Sequence, residues 1–117
     1  MTTITKIKTG SKFEDIGSYS RLVAVDKWIH VSNTAGRNAQ SGQIPEDIIE
    51  QTDQVFANIE AALASVGSGL GDVIASRVFI QDPADTHAVM TRVGEKFRGI
   101  DPASTVTCPP LGSSVYK

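Results

Sequence analysis

The sequence predicts an α+β fold, a single layer of sheet backed by two helices. Three observations carry that expectation. Two stretches, from Pro45 to Val66 and from Pro83 to Phe97, repeat apolar residues at helical spacing. Short runs rich in β-branched residues precede, separate and follow them. The central runs are apolar at both parities, the mark of strands buried on both faces, although two helices can cover only one. An uncovered apolar face of that size predicts that the chain associates with other copies.

The order is three strands, a helix, a strand, a helix, a strand and the opening of one more. "SRLVAVDKWIHVS" reads as two short strands joined at Asp26-Lys27 by a tight turn. On the second of these, Trp28, His30 and Ser32 share one face, and Ile29 and Val31 the other. "TAGRNAQSGQ" is a loop. The first long helix starts at Pro45, with Ile48, Thr52, Val55, Ile59, Ala62 and Val66 on its apolar stripe and Ile49, Phe56 and Leu63 widening it. Pro45 suits its first turn, Glu46 and Asp47 complement the positive end of its dipole, and Gly67 stops it. "GSGLG" connects it to the strand "DVIASRVFIQ". The second helix has Asp82 as N-cap, Pro83 first, Asp85 in the first turn, Val89, Val93 and Phe97 facing inward, and Gly99 at its end. "ASTVTC" is then a strand ended by Pro109-Pro110, and "SSVYK" opens a last strand that Lys117 cuts short.

Composition narrows the function. A chain of 117 residues is one domain, 1–117, with no internal repeat. The net charge is −2 and no run of Lys or Arg could neutralise several phosphates, so nucleic acid is an unlikely partner. "MTTITKIKTG" lacks a signal peptide's apolar block, and no stretch approaches membrane-spanning length. With a single cysteine there is no internal disulfide framework, and a cytoplasmic setting is expected.

Chemistry is harder to place. His30 and His87 stand on different elements without partners at ligand spacing, so no metal site is expected; His30 reads as packed or hydrogen-bonded and His87 as solvated. Cys108 lacks a neighbour that would lower its pKa and reads as a small buried hydrophobe. "GSGLG" follows a helix, the wrong order for a phosphate cradle. Glu46, Asp47, Glu50, Asp53 and Glu60 read as a solvated face. A dispersed set remains: Tyr19, Ser32, Asn33, Arg37 and the strand 103–108, in a segment from Pro102 to Tyr116 without a charged residue. No spacing rule groups these residues.

The motifs resemble a known family. "IPEDIIEQTDQVFANIEAAL", with Pro45, Gln51, Gln54 and Asn58, is similar to the YjgF/Rid family, the reactive intermediate deaminases also called endoribonuclease L-PSP. "GSYS", "WIHVSNTAG", "GDVIASRVFIQD" and "DPASTVTCPPL" resemble its other segments, so the likeness spans essentially the whole chain.

The resemblance implies a chorismate-mutase-like homotrimer with three clefts between subunits. It also implies hydrolysis, without a cofactor, of 2-imino acids or their enamine tautomers to 2-keto acids and ammonia. In that family a penultimate-strand arginine clamps the substrate carboxylate, a task suited to a guanidinium. Residue by residue, Tyr19 matches the cleft tyrosine and Ser32 the serine after the hairpin, while Asn33 replaces a glycine. The arginine's position is Ala103, followed by Ser104 and Thr105. The clamp is therefore missing, and ordinary imino-acid hydrolysis is expected to be weak or absent. Arg37 is an alternative guanidinium, and a glutamate proposed to hold the water would lie beyond Lys117. Substrate-binding candidates are thus Tyr19, Ser32, Asn33, Arg37, Ala103, Ser104, Thr105 and Cys108. The expected function is a trimer acting on a small imine or enamine held between subunits. A non-catalytic trimer binding a metabolite or protein is the alternative, and a ribonuclease ranks third.

Overall fold

The computed structural model describes residues 2–117. Strand β1 (Ile4–Ile7), β2 (Leu22–Val25) and β3 (Trp28–Val31) form an antiparallel ladder in that order, with Ile4 opposite Val25 and Leu22 opposite Val31. The turn falls at Asp26-Lys27 as expected. Asp26 is left-handed at φ 52° and its side chain accepts from Thr3 N at 2.9 Å.

A short helix, α1 (Lys12–Gly17), lies between β1 and β2 and is absent from the order read off the sequence. "KFEDIG" has no apolar stripe. Its one buried residue is Glu14, whose carboxylate accepts from Thr9 N at 2.8 Å and Thr9 Oγ1 at 2.6 Å. Ser11 caps it by accepting from Phe13 N.

Helix α2 (Ile48–Ala64) starts three residues later than Pro45 suggests. Asp47 is the N-cap, accepting from Ile49 N at 3.1 Å and Glu50 N at 3.0 Å, so it satisfies two orphan donors while remaining exposed. Beyond the helix Gly67 takes φ +75°, and Ser68 N returns to Leu63 O. β4 (Ala75–Phe79) leads to a 3₁₀ turn at Pro83–Asp85, capped by Asp82, and then to α3 (Thr86–Lys96). Strand β5 (Ala103–Thr107) runs parallel to β4, pairing Ala75 with Ala103 and Phe79 with Thr107.

Among the described residues the strands form two hydrogen-bonded ladders, β1-β2-β3 and β4-β5, and α2 packs against both. One core packs Phe56 of α2 with Ile80, Val89 and Val93, and Phe97 meets Phe56 edge-to-face at 5.2 Å. The other packs Leu22 with Ala62 and Leu63. No strand pairs with both β3 and β4 among the described residues.

"SSVYK" is a turn and coil segment, not the start of a strand. Two glutamine side chains take up its backbone groups. Gln51 donates to Val115 O at 2.7 Å and accepts from Lys117 N at 3.1 Å, while Gln81 donates to Tyr116 O at 2.8 Å. Among the described residues no helix is long and apolar enough to cross a membrane.

Candidate functional site

The candidate residues fall into three groups. The first surrounds the hairpin. Ser18 ends α1 in the left-handed region, and Tyr19 N donates back to Glu14 O at 3.0 Å. This turn lays the Tyr19 ring over the helix end, where a Cβ on Gly17 would come within 2.9 Å of it. Ser32 follows β3 and donates its hydroxyl to Ser20 O at 2.7 Å, which leaves the oxygen's lone pairs free to accept. Arg21 ties the group together. Its guanidinium lies 5.7 Å over the Tyr19 ring and donates to Asn33 O at 3.0 Å. Sequence reasoning missed Arg21. The hairpin register held the signal, because pairing Leu22 with Val31 brings Arg21 beside Ser32.

The second group surrounds Arg37. Its Nη1 donates to Gly42 O at 3.0 Å, its Nη2 donates to the Tyr116 hydroxyl at 3.3 Å, and its plane sits 5.4 Å over the Phe13 ring. The loop carrying it is strapped to α2. Asn58 donates to Ala35 O and Arg37 O, and Gln54 holds Asn58 by donating to its Oδ1 at 2.9 Å. Gly36 lies against the helix so closely that a Cβ would stand 2.6 Å from Gln51 O. A depression of about 210 Å³ beside Phe13 is bordered by Arg37, Thr9, Lys12 and Asn38.

The third group is β5. Ala103, Ser104 and Thr105 are all exposed in the single chain. On β4, Val78 turns inward onto the Phe56 core, while Ala75, Arg77 and Phe79 turn outward. Register sets Ala103 beside Ala75 and Thr105 beside Arg77. Cys108 is exposed and not buried as expected, because β5 ends at Thr107 and Cys108 lies beyond it; its Sγ stands 3.6 Å from Thr86 Oγ1. His30 is likewise exposed, with no side-chain hydrogen bond among the described residues, since the Trp28 face of β3 points away from α2. His87 is exposed.

Within one subunit no hydrogen bond or ion pair links the Tyr19 group to β5 among the described residues. Large apolar side chains are exposed on the outward faces of β3 and β4, with Trp28 62% and Phe79 42% accessible. No group of three His, Cys, Asp or Glu side chains suited to a metal ion occurs among the described residues. The clear electrostatic perturbation lies elsewhere, at the α2–α3 seam. There the Arg92 hydrogen bond to Asp53, at 2.7 Å, holds that carboxyl below its ordinary pKa, and Asp53 raises Arg92 in turn. Asp53 is therefore paired, not merely solvated.

Comparison with known proteins adds the rest. The profile of the family described as Endoribonuclease L-PSP matches residues 9–114. A 2-iminobutanoate/2-iminopropanoate deaminase from Capra hircus is 32% identical over 113 residues, covering 93% of this chain and 82% of that protein. Its counterpart from Mus musculus is 32% identical over 104 residues, covering 86% and 77%. Among solved structures, a Mycobacterium tuberculosis member of the YjgF/YER057c/UK114 family superposes with a TM-score of 0.87 at 27% identity, covering 97% of this chain and 92% of the other. The YjgF gene product of E. coli superposes with a TM-score of 0.82 at 23% identity, covering 96% and 87%. With a profile match over most of its length and relatives above 30% identity, this chain belongs to the YjgF/Rid family, described as Endoribonuclease L-PSP.

Proposed function

We propose that the protein is a cofactor-independent hydrolase of a small imine or enamine, working as a homotrimer with its ligand held between subunits. One observation carries the reading. Tyr19, Asn33 and the outward face of β5 are exposed, Ser32 is half-buried beside them, and among the described residues no hydrogen bond connects the hairpin group to β5 within one chain. Docking one copy's apolar face on another supplies the concave, largely apolar pocket with a few polar groups that a small ligand needs. The relatives named as 2-iminobutanoate/2-iminopropanoate deaminases support the chemistry.

The reaction balances without a cofactor. Water adds to the C=N carbon and its proton passes to nitrogen; the resulting amino alcohol collapses, the C–N bond breaks, and a ketone and ammonia leave. Ser32 Oγ, its own proton directed at Ser20 O, accepts a hydrogen bond from the water. The Tyr19 hydroxyl, free of any partner within the subunit among the described residues, donates to the imine nitrogen or the departing amine. Ala103 brings no charge to β5, so β5 itself offers no clamp to a carboxylate that adjoins the imine carbon.

A second reading, a trimer that binds a metabolite without turnover, is favoured by one feature. No carboxylate, imidazole or amine hydrogen-bonds to Tyr19, Ser32 or β5 among the described residues. Ammonia release from imines generated in solution separates the two. The hydrolase reading expects release above the uncatalysed rate, falling in Tyr19→Phe while the assembly persists. Ligand-induced thermal stabilisation with no ammonia released would favour the second reading.

A further inference from the structure

We propose that Arg77 binds an anionic group of the ligand, from β4 and not from β5. The inference rests on the inter-subunit cleft proposed above. Arg77 is the only charged residue in the two strands, ASRVF and ASTVT. It turns outward with Ala75 and Phe79, and the register sets it directly beside Thr105 on the same face. Neighbouring strands lie about 4.8 Å apart, and two residues along a strand span roughly 6.6 Å. The long arginine arm therefore sweeps the surface beside Ala103, where a methyl group leaves the space open.

Its partners are what set Arg77 apart. Arg21 donates to Asn33 O, Arg37 to Gly42 O and Tyr116, and Arg92 to Asp53 and Glu95. Arg77 makes no hydrogen bond or ion pair among the described residues, and no carboxylate comes within 4.0 Å of it. Arg98 also lacks one, but it follows the end of α3 on the helix side, exposed to solvent. A guanidinium left alone on a surface of apolar and hydroxyl side chains is favourable only while water covers it. When a second copy covers that face, an unpaired cation is strongly disfavoured and a bound anion relieves it. A planar fork with five donors suits a carboxylate held through both oxygens. Arg77 and Ala103 thus form a complementary pair, with the charge on one strand and the open space on the other.

The test measures binding of 2-oxobutanoate and of its neutral amide to the wild type, Arg77→Ala, Arg77→Lys and the double variant Arg77→Ala/Ala103→Arg, at low ionic strength. Sedimentation velocity checks assembly, and ammonia release is recorded in parallel. The wild type is expected to prefer the acid. Arg77→Ala loses about tenfold or more in acid affinity with the amide unaffected, Arg77→Lys retains part of the preference, and the double variant recovers it. Equal binding of acid and amide by the wild type, or acid binding unchanged in Arg77→Ala, overturns the proposal even if imines are hydrolysed. If the acid preference depends on Arg77 but no variant releases ammonia, the anion site stands and the hydrolase reading falls. If neither single variant assembles, Arg77 is an interface residue and the proposal fails.

Discussion

Arg37 and Arg77 place the same guanidinium in opposite surroundings. Arg37 sits in a polar loop, where a side chain is expected to be free, yet a carbonyl, a tyrosine hydroxyl and an aromatic face occupy it. Arg77 sits in a strand with apolar residues at both parities, where a charge is expected to be paired, yet it stands alone. The loop is rich in unsatisfied backbone groups that a guanidinium can serve, whereas a strand's backbone is already paired in its ladder. Arginine in the loop therefore becomes structural. Arginine on the bare strand face remains open to a ligand.

The largest effect is expected in the loop. Gly36→Ala drives a Cβ toward Gln51 O, at 2.6 Å, and displaces the segment that presents Arg37. Overpacking of that kind destabilises by about 1–3 kcal/mol, readable as a lower urea midpoint. A midpoint equal to the wild type would show that the loop shifts away without strain. Arg37→Ala comes next. Losing two hydrogen bonds and the Phe13 stack costs about 1–2 kcal/mol, and protease cleavage within 38–44 or 111–117 should quicken.

The Asp53–Arg92 pair offers a smaller effect with a defined pH dependence. Asp53 is over a third exposed, so Asp53→Asn costs less than about 1 kcal/mol at neutral pH. A carboxyl whose folded pKa is depressed stabilises above its unfolded value, near 3.9, and that contribution is lost as the pH falls through the folded value. The wild type and Asp53→Asn should therefore converge in acid. A gap that persists at pH 2 would mean the asparagine perturbs packing. Arg77→Ala has the smallest expected effect on unfolding, within about 0.5 kcal/mol. A loss as large as that of Arg37→Ala would erase the contrast between the two arginines.

Much of the fold was legible in the sequence. Apolar periodicity marked α2 and α3, Asp82 and Pro83 marked the entry to α3, and Asp26-Lys27 marked the hairpin. What escaped has physical reasons. Helix α1 is held by a cap and by Glu14 bonded to Thr9, so no apolar stripe announces it. Pro45 looked like a helix start because Asp47's capping depends on where the backbone turns. The strand order within each ladder, with β5 parallel to β4, depends on long-range pairing that local pattern does not encode. The site was less legible still. Tyr19, Ser32 and Asn33 do gather at one place, but Arg21, which joins them, is visible only through the hairpin register. Cys108 reads as buried and His30 as packed or hydrogen-bonded because parity gives two faces without saying which one a helix covers.

Mixing subunits tests whether the site is completed only between them. Tyr19→Ala removes the ring from one side of the cleft, and Thr105→Tyr fills the other at β5. Each variant alone should release little ammonia from an imine generated in solution. Unfolded and refolded together in equal amounts, they form mixed trimers in which about a quarter of the clefts pair two intact sides, since a cyclic assembly joins each face to a different subunit. The mixture should recover roughly that fraction of wild-type activity. A mixture no more active than its parents, beside an active wild type, would contradict it.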